Sequence, residues 1–107
     1  MQARAAIADE ANGIYVSAAS AWEVATEARL GKLPGAELIA QEFGEHLTRQ
    51  GFIGLDITIA HGQRGESLPG PHRDPLDRML IAQAQAEQLT VVSNDTVFDQ
   101  YRVVRLW

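Results

Sequence analysis

The chain has 107 residues and no cysteine, with 46% hydrophobic and 21% charged residues, the balance of one soluble globular domain without disulfides or thiolate metal sites. A net charge of −5 argues against a broad basic surface for gripping nucleic acid, yet suits a cluster of carboxylates that a cation would neutralise. No apolar run reaches the length of a membrane span and no signal peptide opens the chain, so the cytoplasm is the expected compartment.

In chain order, Met1 to Glu10 has helical composition but no N-cap, and Ala11-Asn12-Gly13 supplies a stop. Ile14 to Val16 is a short β-prone run. Ser20 to Leu30 favours helix, with Ser20 as N-cap and Gly31 as stop. After a turn at Leu33-Pro34-Gly35, Ala36 to Arg49 reads as helix, Phe52 to Leu55 as strand and Ile57 to Gln63 as a short helix. Gly65 to Pro71 is the most loop-like segment. Asp74 opens a helix running to about Glu87. Leu89 to Ser93 is a strand, Asp95 to Gln100 a turn or short helix, and Val103 to Trp107 a final strand. Strands alternating with helices predict βαβ units and a parallel sheet, hence a single α/β sandwich over residues 1–107.

Four acids draw notice for where this pattern puts them. Asp74, followed by Pro75 and by an acid at the third helical position, is explained by helix capping alone. Asp77 shares the apolar stripe of Leu80, Ile81 and Ala84, so its carboxylate needs a donor or a cation to offset desolvation. Asp95 lies just past a strand, where open α/β sheets bind ligands; a turn in which Asp95 accepts from the backbone near Val97 explains it equally well. Glu23, with Glu27 one turn on, reads first as part of a solvated acidic face. Carboxylates gathered at one sheet edge are a site for a hard divalent cation. The histidines lack zinc-site spacing, and no phosphate-binding glycine loop or nucleophile elbow is present. Arg73 and Arg78, beside the acidic helix, are candidate contacts for a phosphate backbone.

Three blocks bring a family into view: VSAASAWEVATEARLGKL from Val16 to Leu33, HRDPLDRMLIAQAQAEQLTVVSND from His72 to Asp95, and FDQYRV from Phe98 to Val103. In this order the chain resembles the PIN-domain ribonucleases, in particular the VapC-type toxins of toxin–antitoxin pairs. The resemblance implies a three-layer α/β/α sandwich with a parallel sheet and a Mg²⁺- or Mn²⁺-dependent endoribonuclease. It implies Glu23, Asp77 and Asp95 as metal ligands and catalytic acids, with Asp74 as an assistant. It further implies an RNA substrate, an antitoxin partner and a homodimer. The family opens with a central strand ending in a further Asp, and the sequence begins inside the helix that follows it. Three accounts are open: an internal start at Met1, flanking strands that close onto each other, or a strand donated by a neighbouring chain. The expectation for the chain as written is weakened or absent cleavage. The competing expectation is an inactive PIN remnant that binds an antitoxin.

Overall fold

The computed structural model describes residues 2–32, 34–35, 41–70 and 72–107, in which helices and strands alternate. Helix α1 (Gln2–Ala8) is followed by the predicted stop, where Asn12 Nδ2 donates to Ala6 O at 2.9 Å. Strand β1 (Tyr15–Ser17) runs directly into α2 (Ala18–Arg29). The sequence assigns the cap to Ser20, but the structure gives it to Ser17, whose Oγ accepts from Ala19 N–H at 3.0 Å. The reason is local: with no loop between strand and helix, the last strand residue stands beside the orphan N–H groups of the first turn. Gly31, at φ 74°, ends the helix as expected.

Helix α3 (Phe43–Arg49) carries the later part of the predicted 36–49 helix, and residues 36–40 lie outside the described residues. Strand β2 (Ile53–Leu55) then pairs with β1 in parallel, Tyr15 opposite Ile53 and Ser17 opposite Leu55. A parallel pair needs a crossover, and α2 and α3 lie within it. These elements belong to one compact unit, Gly13–Asp56.

The other unit comprises Met1–Asn12 and Ile57–Trp107. Its helix α4 (Ile59–Ser67) starts on a reciprocal cap: Thr58 Oγ1 accepts from His61 N–H at 3.1 Å, and His61 Nδ1 accepts from Thr58 N–H at 3.0 Å. With Nδ1 an acceptor, the His61 proton sits on Nε2, which donates to Glu87 Oε1 at 2.9 Å. The helix continues through Gly65, Glu66 and Ser67, where the sequence predicts loop. Tertiary contacts explain the extension. Gly65 is buried, and a side chain there would approach the Arg78 carbonyl oxygen to 3.4 Å. Arg78 in turn donates to the carbonyls of Gly65, Glu66 and Leu68 at 2.9, 3.0 and 2.7 Å, adding to the one long bond, 3.5 Å from Leu68 N–H to Gly65 O, by which the helix end caps itself.

Helix α5 (Pro75–Glu87) packs on α4 and ends at Gln88 in the left-handed region. Strands β3 (Val91–Val92) and β4 (Arg105–Leu106) pair in parallel around a 3-10 turn over Thr96–Gln100. Ile81, Phe98 and Tyr101 form the buried cluster, with Leu68, Leu80, Val91, Val97 and Val103 packed around it. Burying one such side chain contributes about 1.5–3 kcal/mol. Gly70, at φ 96°, passes so close to this cluster that a side chain would meet the Tyr101 hydroxyl at 3.1 Å.

Among the described residues the strands thus form two separate two-stranded parallel sheets, with β1 hydrogen-bonded to β2 and β3 to β4. The α/β class with parallel strands is as the sequence predicts. The strands of the second pair are shorter than predicted, two residues each. No described helix is long and apolar enough to cross a membrane.

Candidate active site

Asp74 is the N-cap of α5 and Pro75 its first residue. Asp74 Oδ1 accepts from the N–H groups of Leu76 and Asp77, at 3.0 and 3.4 Å. Capping thus accounts for Oδ1 of Asp74.

Asp77, in the first turn of α5, is half-buried with a side chain 19% exposed, and its Oδ2 is 2.9 Å from His72 Nε2. The desolvation argument demanded a donor for this carboxylate, and the imidazole N–H is that donor. His72 is held in turn: Arg78 Nη1 donates to its backbone carbonyl at 2.9 Å. Two adjacent residues of α5 thus fix His72 from both sides, Asp77 by the ring and Arg78 by the main chain.

Arg78, the other candidate contact for RNA, is engaged with the backbone. Four hydrogen bonds run from its guanidinium to the carbonyls of Gly65, Glu66, Leu68 and His72. A guanidinium has five N–H donors, so nearly all its capacity is committed to the backbone of the α4–α5 connection. Arg73 is exposed and keeps the role of a cation open to solution.

Asp95 lies just past β3, as predicted, and is exposed. One oxygen is committed, since Oδ1 accepts from Val97 N–H at 3.0 Å and caps the 3-10 turn. Its own N–H donates to Ser93 Oγ at 3.0 Å. Beside it, Arg105 of β4 donates to Ser93 O at 3.1 Å and grips Asp99 through Nε and Nη2, at 2.9 and 3.1 Å. These hydrogen bonds hold the Asp99 carboxyl below its ordinary value and raise the Arg105 guanidinium; the nearby Asp95 charge adds a little to the latter. Sequence reading missed Arg105, because nothing local in Val103 to Trp107 distinguishes it from a solvated strand cation. His72 was legible as a neighbour of the acidic helix, but its bond to Asp77 was not.

Glu23 is on α2, in the unit that contains neither Asp77 nor Asp95. It is half-buried while Glu27 is exposed, so the two do not share one solvated acidic face. As a donor set, three carboxylates suit a hard cation such as Mg²⁺. Asp77 and Asp95 each have a second oxygen beyond the hydrogen bonds described above. In number the match is incomplete, since no group of three or more His, Cys, Asp or Glu side chains is close enough to hold an ion among the described residues.

Comparison with known proteins agrees with this architecture. The family model for the PIN domain matches residues 1–104, and the chain belongs to that family. The chain is also similar to Ribonuclease VapC16 of Mycobacterium tuberculosis, 43% identical over 60 residues. That alignment covers 56% of the chain and 43% of the relative, so the match spans less than half of the relative's length. No solved structure matches the chain significantly.

Proposed function

We propose that the chain is a metal-dependent endoribonuclease of the VapC toxin kind, acting on RNA in the cytoplasm and silenced by an antitoxin protein. The observation that carries the reading is the His72–Asp77 pair. A half-buried carboxylate at the mouth of a helix, oriented by an imidazole that is itself anchored, is prepared for a ligand rather than for capping. Membership of the PIN family and the likeness to a ribonuclease support the same reading.

Glu23, Asp77 and Asp95 would hold Mg²⁺ or Mn²⁺. Bound there, the ion supplies charge for the phosphate oxygens and a water acidic enough to attack phosphorus. The chain's own residues do the positioning. His72 donates its Nε2–H to Asp77 Oδ2 and leaves Oδ1 to the site. Ser93 and the Val97 N–H hold Asp95 at the end of β3. Arg73 meets the RNA backbone. Glu23 enters on the strength of the sequence block that carries it. The homodimer, strand-swapped or not, belongs to the same proposal.

The test is incubation of the chain with structured RNA and Mg²⁺. Expected is slow cleavage, removed by a chelator and by Asp77→Asn. Cleavage that survives either change overturns the proposal. The lack of a three-ligand group among the described residues favours one second reading, an antitoxin-binding PIN module without catalysis. Tight antitoxin binding with no cleavage at any Mg²⁺ or Mn²⁺ concentration decides for it.

A further inference from the structure

One side chain closes the loop that carries Asp95. Residues 93–99 leave the carboxyl end of β3 and enter the 3-10 turn, and Arg105 reaches both ends of them from the paired strand β4. At the near end its Nη1 donates to Ser93 O at 3.1 Å. At the far end its Nε and Nη2 donate to Asp99 Oδ1 and Oδ2 at 2.9 and 3.1 Å. The planar fork of a guanidinium gives such a grip a fixed direction, which the single ammonium of lysine does not reproduce.

Within this closed loop the remaining bonds converge on Asp95. Ser93 is fixed at its other two polar groups: its N–H donates to Leu106 O at 3.1 Å in the β3–β4 ladder, and its Oγ accepts from Asp95 N–H at 3.0 Å. Asp95 Oδ1 accepts from Val97 N–H at 3.0 Å, so Oδ2 is the oxygen these bonds leave for a ligand. Packing does not hold Asp95. Asn94, Asp95 and Thr96 are all exposed, and the first buried side chain of the turn is that of Phe98.

Stability does not explain the Arg105–Asp99 pair either. Its side chains are 21% and 51% exposed, and ion pairs at such a surface add little to stability. What the pair supplies is a fixed path for the exposed arm on which Asp95 stands. It does so without a net charge, since the Asp99 carboxylate offsets the guanidinium. A bare cation here would oppose a positive ion at Asp95.

We propose that Arg105 is the positioning residue for Asp95: by clamping Ser93 and Asp99 it sets the loop path that leaves Asp95 Oδ2 to the divalent cation. The inference rests on the ribonuclease reading above.

The test joins hydrogen exchange of the metal-free chain, followed by NMR, to cleavage of structured RNA, both well below the Tm of each variant. In Arg105→Gln the amides of Asp95 and Val97 should exchange about tenfold faster while those of α5 keep their native rates. The Mg²⁺ concentration for half-maximal cleavage should rise about tenfold, the low end of what is lost with a residue that orients a metal ligand. A merely structural role would reduce the amount of active chain and leave that concentration unmoved. Arg105→Lys keeps the charge but does not span both ends, so it should behave as Arg105→Gln does. Asp99→Asn loosens one end only and should show both changes at smaller scale, which keeps the proposal testable if the Arg105 variants fail to fold. Native exchange at Asp95 and Val97 in Arg105→Gln, an unmoved Mg²⁺ requirement, or native behaviour of Arg105→Lys would each overturn the proposal. The exchange measurement contains neither metal nor RNA. Faster exchange in Arg105→Gln with no cleavage by the native chain therefore counts against the ribonuclease reading alone. Cleavage by the native chain with unaltered exchange in Arg105→Gln counts against the clamp alone.

Discussion

The chain delivers two carboxylates in the same way and treats them differently. At the start of α5, Asp74 caps the helix and Asp77 is left half-buried, bound by His72 at 2.9 Å. At the end of β3 no second acid takes the cap: Asp95 itself caps the 3-10 turn with Oδ1 and remains exposed. The difference shows how a fold can separate anchoring from chemistry. Where a second acid takes the capping, the first is free to be desolvated and oriented; where no second acid exists, the residue stays hydrated. Arg78 and Arg105 repeat the contrast. Arg78 spends its donors on four carbonyls, while Arg105 divides its grip between Asp99 and Ser93.

Substitutions can break this comparison, in order of expected effect. Asp77→Asn should lower RNA cleavage at least about a hundredfold, since even residues one shell removed from a metal are worth 10–100-fold. Its melting temperature should move little, because the amide oxygen can still accept from His72. Unchanged cleavage would remove Asp77 from the site. Asp95→Asn should also reduce cleavage while the cap survives, asparagine being as good a cap as aspartate. Lost activity at constant Tm would separate its two roles, and lost stability would show that capping is the whole of its part.

Arg78→Met should destabilise by about 2 kcal/mol, because the carbonyls of the α4–α5 connection lose their donor. Denaturant unfolding measures it, and a change below about 0.5 kcal/mol would show that water replaces the guanidinium. Asp74→Ala should cost about 1 kcal/mol and Asp74→Asn only a few tenths, with cleavage retained in both. A large loss of cleavage in Asp74→Asn, at unchanged stability, would return Asp74 to the metal site.

The smallest effect belongs to Asp99. Arg105 holds its carboxyl below the ordinary value of 3.8. Asp99 is thus charged in the folded chain at pH values where it is protonated in the unfolded one. Its contribution to stability is present in full above about pH 3.8 and is lost as the pH falls through the folded value. The Tm difference between the native chain and Asp99→Asn should be small at neutral pH and vanish on acidification. A difference that grows with acid would mean that the Arg105 pair does not stabilise the fold.

Much of the fold was legible because it is written locally. Asp74-Pro75 announces a helix start by side-chain chemistry, Gly31 announces a stop by backbone freedom, and alternating helices and strands announce parallel pairing. Asp77 was legible as anomalous for a physical reason, a charge on an apolar stripe. The reach of α4 through Gly65 to Ser67 was not legible. It depends on a glycine with no side chain to hold the α5 backbone off, and on an arginine that caps from another helix. The Ser17 cap was misplaced by three residues because the absence of a loop before α2 is a matter of path, not composition.

By itself the sequence determined the order of elements, the Asp74 cap, and which acids lie at element ends, since these follow from contacts a few residues apart. Only the tertiary structure decided what each polar group meets. It paired His72 with Asp77, drew Arg78 into the backbone of the α4–α5 connection, set Arg105 beside Ser93 and Asp99, and packed α5 against the glycines of α4. A carboxylate on an apolar stripe states that a partner must exist. Which partner it is depends on how helices pack, and no periodicity along the chain encodes that.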